Sequence, residues 1–205
     1  VLKFTVVYAI FLLGLCLLAT TGFFTVTAMP PRFLLVFLPM IISIILVCKA
    51  KMAKALRFLT FLPPFLLVAV QVYRLFIELI FIQFAQEKII PLELSIHGRN
   101  FDLWIGVLAL PAGWLLYRKH SLAKKSAILF NLLGLLSLVN IFTIVVPSMP
   151  SPFRVYDMLY LPVYFPGILI IFLVSSAIYL HILSLRQLLW IKLPASQEKQ
   201  QLAVQ

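Results

Sequence analysis

From Phe65 to Phe84 the chain runs apolar for twenty residues, carrying Gln71, Arg74 and Glu78 within the run and Arg74 as its tenth residue. About twenty apolar residues wound as a helix cross the hydrocarbon core of a bilayer, so this segment puts a charged pair near the middle of a membrane span. At about 100° per residue the three polar side chains fall within a sector of roughly 60°, one polar stripe on a greasy helix. An isolated arginine at that depth costs at least ~2.5 kcal/mol on insertion scales, so it needs a partner, a water-filled cavity or both. Glu78, four residues on, is the nearest candidate partner, and the stripe reads either as a binding or proton-transfer site or as a clamp holding helices in register.

Five further apolar segments extend the pattern. Spans are expected at about Phe4 to Phe24, Phe33 to Cys48, Phe65 to Phe84, Phe101 to Tyr117, Ser126 to Val146 and Leu161 to Gln187. With 63% apolar and only 11% charged residues, the composition is that of an integral membrane protein. The fold class is therefore all-α: one bundle of six transmembrane helices over residues 1–192, followed by a short polar tail over 193–205. The first apolar run is too long for a signal-peptide core and reads as a retained span. The second is short and contains Pro39, which predicts a kink, a tilt or shielding by neighbouring helices.

Basic residues sort onto alternate sides of these spans. Lys3; Lys49, Lys51, Lys54 and Arg57; Arg118, Lys119, Lys124 and Lys125; and Arg186, Lys192 and Lys199 fall on one side, against Arg32, Lys88, Arg99 and Arg154 on the other. The positive-inside rule then makes both termini cytoplasmic. In a soluble chain the net charge of +11 would point to nucleic acid; here it serves topology, so no nucleic-acid partner is expected. The bilayer itself is the first partner, with anionic headgroups at the basic cytoplasmic face and other membrane subunits as further partners. The two halves show no evident repeat of the transporter type.

Outside the third span, the connection from Gln86 to Asp102 ends in Ser95-Ile-His97-Gly98-Arg99-Asn100-Phe101-Asp102. Gly98 suits a tight turn, and Asn100 and Asp102 suit the start of the fourth helix, where free amides and the dipole favour them. His97 and Arg99 are left over as external-loop site residues. On the fifth span, Asn131, Gly134, Ser137, Asn140 and Thr143 form a set of small and amide residues typical of close helix packing, and Asn140 is placed to approach Arg74 or Glu78. A stiff outer loop with Pro147, Pro150 and Pro152 suits a cap over the outer mouth. His181 reads as a buried or interfacial histidine. Cys16 and Cys48 read as packing residues rather than a disulfide or a metal pair.

Enzyme signatures are missing: no nucleophile elbow, no His-Glu-x-x-His zinc motif, no glycine-rich phosphate loop. No catalytic or metal-binding residue is therefore assigned. The cofactor is unknown; His97 and His120 fall in connections on opposite sides, which disfavours intrinsic bis-histidine haem.

His97-Gly-Arg-Asn-Phe-Asp102 resembles the loop of a family of uncharacterised multi-pass membrane proteins common in Bacteroidetes, whose version usually reads Glu-Gly-Arg-Asn-Phe-Asp. Pro30-Pro31-Arg32, the Gln71 to Glu78 stripe, Met149-Pro150-Ser151-Pro152-Phe153 and Leu180 to Leu188 extend the likeness over most of the chain. The resemblance implies a defined six-span fold and carries no established activity. It departs at His97, where the family has an acid. The function expected from the sequence is that of a non-enzymatic integral membrane protein, an accessory or structural subunit of a larger complex or an intramembrane binding protein. The alternative is a small proton-coupled or anion-binding transporter using Arg74 and Glu78. A third class, a lipid-acting enzyme, would use His97 and Asp102 as acid and base.

Overall fold

The computed structural model describes residues 2–25, 32–49, 62–149, 152–163 and 165–190, and among these it is helical with no strand. The helices are α1 (Leu2–Thr20), α2 (Leu38–Lys49), α3 (Pro64–Gln86), α4 (Asp102–Tyr117), α5 (Ala123–Val145) and α6 (Phe165–Trp190). Three stretches are long and apolar enough to cross a membrane: Pro64–Gln86, Ala123–Ser148 and Gly167–Leu189. Asp102–Tyr117 and Ala9–Thr20 are shorter apolar helices. The basic connection with Lys51, Lys54 and Arg57, the Pro30-Pro31 pair, Pro150 and the tail over 193–205 lie outside the described residues.

Three segment ends differ from the sequence reading. α1 stops at Thr20, because Gly22 turns the chain with φ 73° into a 3-10 turn at Phe23–Thr25. The second segment begins as 3-10 helix over Arg32–Phe37 and becomes α-helical only at Leu38. The sixth does not start at Leu161: Leu161–Val163 is a separate 3-10 turn. Gly167, in the first turn of α6, packs on the Leu161 carbonyl so closely that a Cβ would come within 1.8 Å of the oxygen, which lets that 3-10 turn fold against the helix start.

α3 opens with Pro64 in its first turn, where a missing N–H is harmless. It tightens to 3-10 geometry over Val70–Val72, directly before Tyr73 and Arg74. Both α3 and α4 end by the same device. Lys88 and Lys119 take left-handed φ of 57° and 52°. Beyond them, Ile89 N–H bonds Phe84 C=O and His120 N–H bonds Leu115 C=O, a 6→1 closure that satisfies the last carbonyls.

A seam of small residues sets α4 against α3. Gly106, Ala109, Ala112 and Gly113 are all buried; a Cβ on Gly106 would lie 2.9 Å from the Leu75 side chain, and one on Gly113 would lie 3.0 Å from Ala69 Cβ. Small residues let helix backbones approach closely. The consequence is positional, since Asp102 at the start of α4 comes to rest beside Arg74 of α3. α6 touches α1, α2, α3 and α5, and an apolar core that includes Ile77, Phe81, Ile90, Leu94, Ile144 and Ile171 fills the space around it.

Candidate functional site

Gln71, Arg74 and Glu78 share one face of α3 as their spacing predicts, and all three are buried, Arg74 and Glu78 to 1% exposure each. They do not, however, pair with one another. Arg74 Nη1 meets Asp102 Oδ1 at 3.3 Å, so the ion pair joins α3 to α4, and Glu78 is not the partner that sequence distance suggests. Glu78 Oε1 instead accepts a hydrogen bond from Asn100 Nδ2. Gln71 Nε2 points to α6 and donates to the Ala177 carbonyl at 3.5 Å. An i,i+4 pair on one helix would have left the stripe self-contained; this arrangement fastens α3 to three other elements.

Asn100 is the pivot. Its Nδ2 also donates to the Leu94 carbonyl at 2.9 Å, and its Oδ1 accepts from Asp102 N–H at 3.0 Å, capping the opening turn of α4. Asp102 in turn accepts a hydrogen bond from Ser137 Oγ of α5 at 2.8 Å. Four elements, α3, the α3–α4 connection, α4 and α5, therefore meet at one buried cluster of Arg74, Glu78, Asn100, Asp102 and Ser137. Gly98 contributes by size rather than by an unusual φ, because a Cβ there would lie 2.4 Å from both Glu93 Cα and the Leu92 carbonyl oxygen. Removing the pivot should be felt throughout. Asn100→Ala is expected to cost about 1–3 kcal/mol, since it strands the buried Glu78 oxygen and the Leu94 carbonyl, and thermal unfolding in detergent measures it.

The remaining external-loop residues stand apart. His97 and Arg99 are exposed; Arg99 Nη1 donates to the Tyr156 hydroxyl at 2.8 Å. Asn140 reaches neither Arg74 nor Glu78. It is half-buried and its Nδ2 donates to the Arg99 backbone carbonyl at 2.7 Å, which pins the α3–α4 connection to α5. Asp102, the other half of the acid–base pair that a lipid-acting enzyme would need, is 3% exposed and held by Arg74 and Ser137. His97→Ala is accordingly expected to leave stability within about 0.5 kcal/mol by the same unfolding assay.

A second polar group lies between α5 and α6. Asn131 Nδ2 donates to Ser184 Oγ at 2.9 Å and to its own helix at Ala127 C=O, while Asn131 Oδ1 lies 2.9 Å from His181 Nδ1. The imidazole rests on Gly134, where a Cβ would come within 2.2 Å of ring atoms, and stacks at a tilt on Phe130. His181, read from the sequence as a buried histidine, is fully buried. Further along, Gln187 Nε2 donates to the Leu62 carbonyl at 2.8 Å, and Tyr73 OH donates to the Leu173 carbonyl at 2.9 Å; both tie α6 to the α3 side.

Chemically, the cluster offers charge compensation and hydrogen bonds. Two carboxyl groups face one guanidinium, and no nucleophile stands beside a histidine base. Among the described residues no three His, Cys, Asp or Glu side chains gather as a metal site. Sequence reasoning placed Asp102 at a helix start and Ser137 in a packing set, and missed that Asp102 pairs with Arg74 and that Ser137 bonds Asp102. The α4 small-residue seam was the signal that α4 lies against the stripe. No protein-family model matches the chain, and no curated protein or solved structure is significantly similar to it.

Proposed function

We propose that this chain is a six-span protein of the bacterial inner membrane, with both termini cytoplasmic, that works without catalysis as an accessory subunit of a larger membrane complex. The observation that carries the reading is that each charge of the buried cluster has at least one contact within the fold: Arg74 with Asp102, Glu78 with Asn100, Asp102 also with Ser137. Apolar faces on several helices supply docking area for lipid and partner subunits, including Phe76 and Leu79 on α3 and Leu129, Leu132 and Leu136 on α5. The sorting of basic residues supports the topology and the contact with anionic headgroups at the cytoplasmic face. The resemblance of the His97 to Asp102 loop to bacterial multi-pass proteins supports the location.

The test is gentle native purification from the source membrane, with mass spectrometry of co-purifying chains and an absorption scan of the same sample. Stoichiometric partner chains are the expected result; a protein that purifies alone sinks the subunit reading. The second reading, a small proton-coupled or anion-binding carrier using Arg74 and Glu78, draws on Glu78 Oε2 and Gln71 Oε1, buried oxygens with no hydrogen-bond partner among the described residues. Joint replacement Arg74→Gln with Asp102→Asn separates the two. A clamp tolerates it and the host complex still assembles, whereas a carrier loses uptake.

A further inference from the structure

Between α4 and α5 the surface opens into a groove of about 570 Å³, inside the range of about 300–1,000 Å³ usual for small-molecule sites. Its walls are apolar, led by Trp104 and Leu108 on one side and Leu133 and Leu136 on the other. Its polar groups gather at one end, where α4 begins and α5 finishes, at Arg99 and Asn140. Ser137 lies along the floor with its hydroxyl committed to Asp102, so the buried carboxylate faces the groove only through that hydroxyl.

The charged end is built rather than loose. Asn140 holds the Arg99 backbone to α5 at 2.7 Å, and Tyr156 from the following outer loop takes one guanidinium N–H at 2.8 Å. That leaves a positioned, exposed guanidinium with most of its five donors beyond the Tyr156 contact. Phe101 and Trp104 line the same groove, each 58% exposed, and a tryptophan, with its apolar ring and polar N–H, suits the border between hydrocarbon and headgroups. An apolar trough that ends in a fixed positive charge is complementary to an amphiphile with a hydrocarbon chain and an anionic head. Arg99 is the charged residue that lines the groove, and Arg74 behind it is buried and paired with Asp102, so Arg99 supplies the charge that selects.

We propose that this groove binds a phospholipid with a net anionic headgroup, its acyl chain against Trp104, Leu108, Leu133 and Leu136 and its headgroup on Arg99. The proposal rests on the membrane reading above and is independent of any partner subunit. The test reconstitutes the full chain, with Trp114→Phe and Trp190→Phe leaving Trp104 as the only tryptophan, into phosphatidylcholine vesicles. Brominated-chain phosphatidylglycerol and brominated-chain phosphatidylcholine are then compared as quenchers at equal mole fraction. Phosphatidylglycerol is expected to be preferred about fivefold, the ratio for one basic side chain meeting an anionic headgroup. Arg99→Gln should bring the ratio to about one. Leu133→Phe with Leu136→Phe, both exposed positions, should fill the trough and abolish the preference with Arg99 intact. Equal quenching by the two lipids in the parent chain overturns the proposal, as does a preference that survives either Arg99→Gln or the filled trough. A chain that fails to float with the vesicles sinks the membrane reading itself, and the groove with it.

Discussion

Arg74→Met alone should lower the stability of the folded protein by about 3–5 kcal/mol, the usual consequence of leaving one member of a buried ion pair without its partner. Asp102 is 3% exposed, so its charge has no water to fall back on once the guanidinium 3.3 Å away is gone. Pairing the change with Asp102→Asn should recover most of the loss. Asparagine keeps an oxygen for Ser137 and removes the uncompensated charge. Pairing Arg74→Met with Glu78→Gln should recover much less, because Glu78 is bonded to Asn100 and not to Arg74. Thermal midpoints and monodisperse yield of the three variants in detergent decide the matter. Equal rescue by the two second substitutions would show that Arg74 has no preference for Asp102.

Gly134→Ala is the second large effect. The added Cβ would lie 2.2 Å from His181 Cε1 and Nε2, a separation no packed structure tolerates. The imidazole must swing off α5, and in leaving it abandons Asn131 Oδ1 in a buried position. Overpacking of this kind costs about 1–3 kcal/mol, and the stranded amide oxygen adds a similar amount. The remedy is specific. His181→Ala in the same chain vacates the space, so the double variant should be more stable than Gly134→Ala alone, whereas His181→Ala in the parent chain is destabilising. A Gly134→Ala protein with the parent melting temperature would place the ring elsewhere.

The stripe on α3 was legible because it depends only on helical period: Gln71, Arg74 and Glu78 must share a face, and they do. What they meet was not legible, because pairing across helices depends on which faces touch. Four residues of separation made Glu78 the natural partner for Arg74, yet α4 approaches closely enough at Gly106 and Gly113 to bring a better-placed carboxylate. Of the small and amide residues on α5 read as a packing set, Asn131, Gly134, Ser137 and Asn140 meet other elements, while Thr143 is exposed and bonds its own helix at Asn140 C=O. The partners of those four divided between α4, through Ser137, α6, through Asn131 and Gly134, and the α3–α4 connection, through Asn140. Period 3.6 cannot tell these apart, since residues three apart on one helix face differ by enough rotation to address different neighbours. The long apolar segments came through as helices with shifted ends. Those ends moved where a glycine allowed it, Gly22 by turning the backbone at positive φ and Gly167 by leaving room for the Leu161 carbonyl.

The seat of Arg74's partner on the next helix also orders the protein's biogenesis. α3 leaves the ribosome before α4, so on the membrane reading it reaches the insertion machinery carrying a guanidinium whose counter-ion has not yet been synthesised. Asn100 and Asp102, which quench Glu78 and Arg74, emerge together just behind it. On that reading the charge pairing of α3 is complete only once the start of α4 has followed it, the connection bringing Asn100 and α4 opening with Asp102.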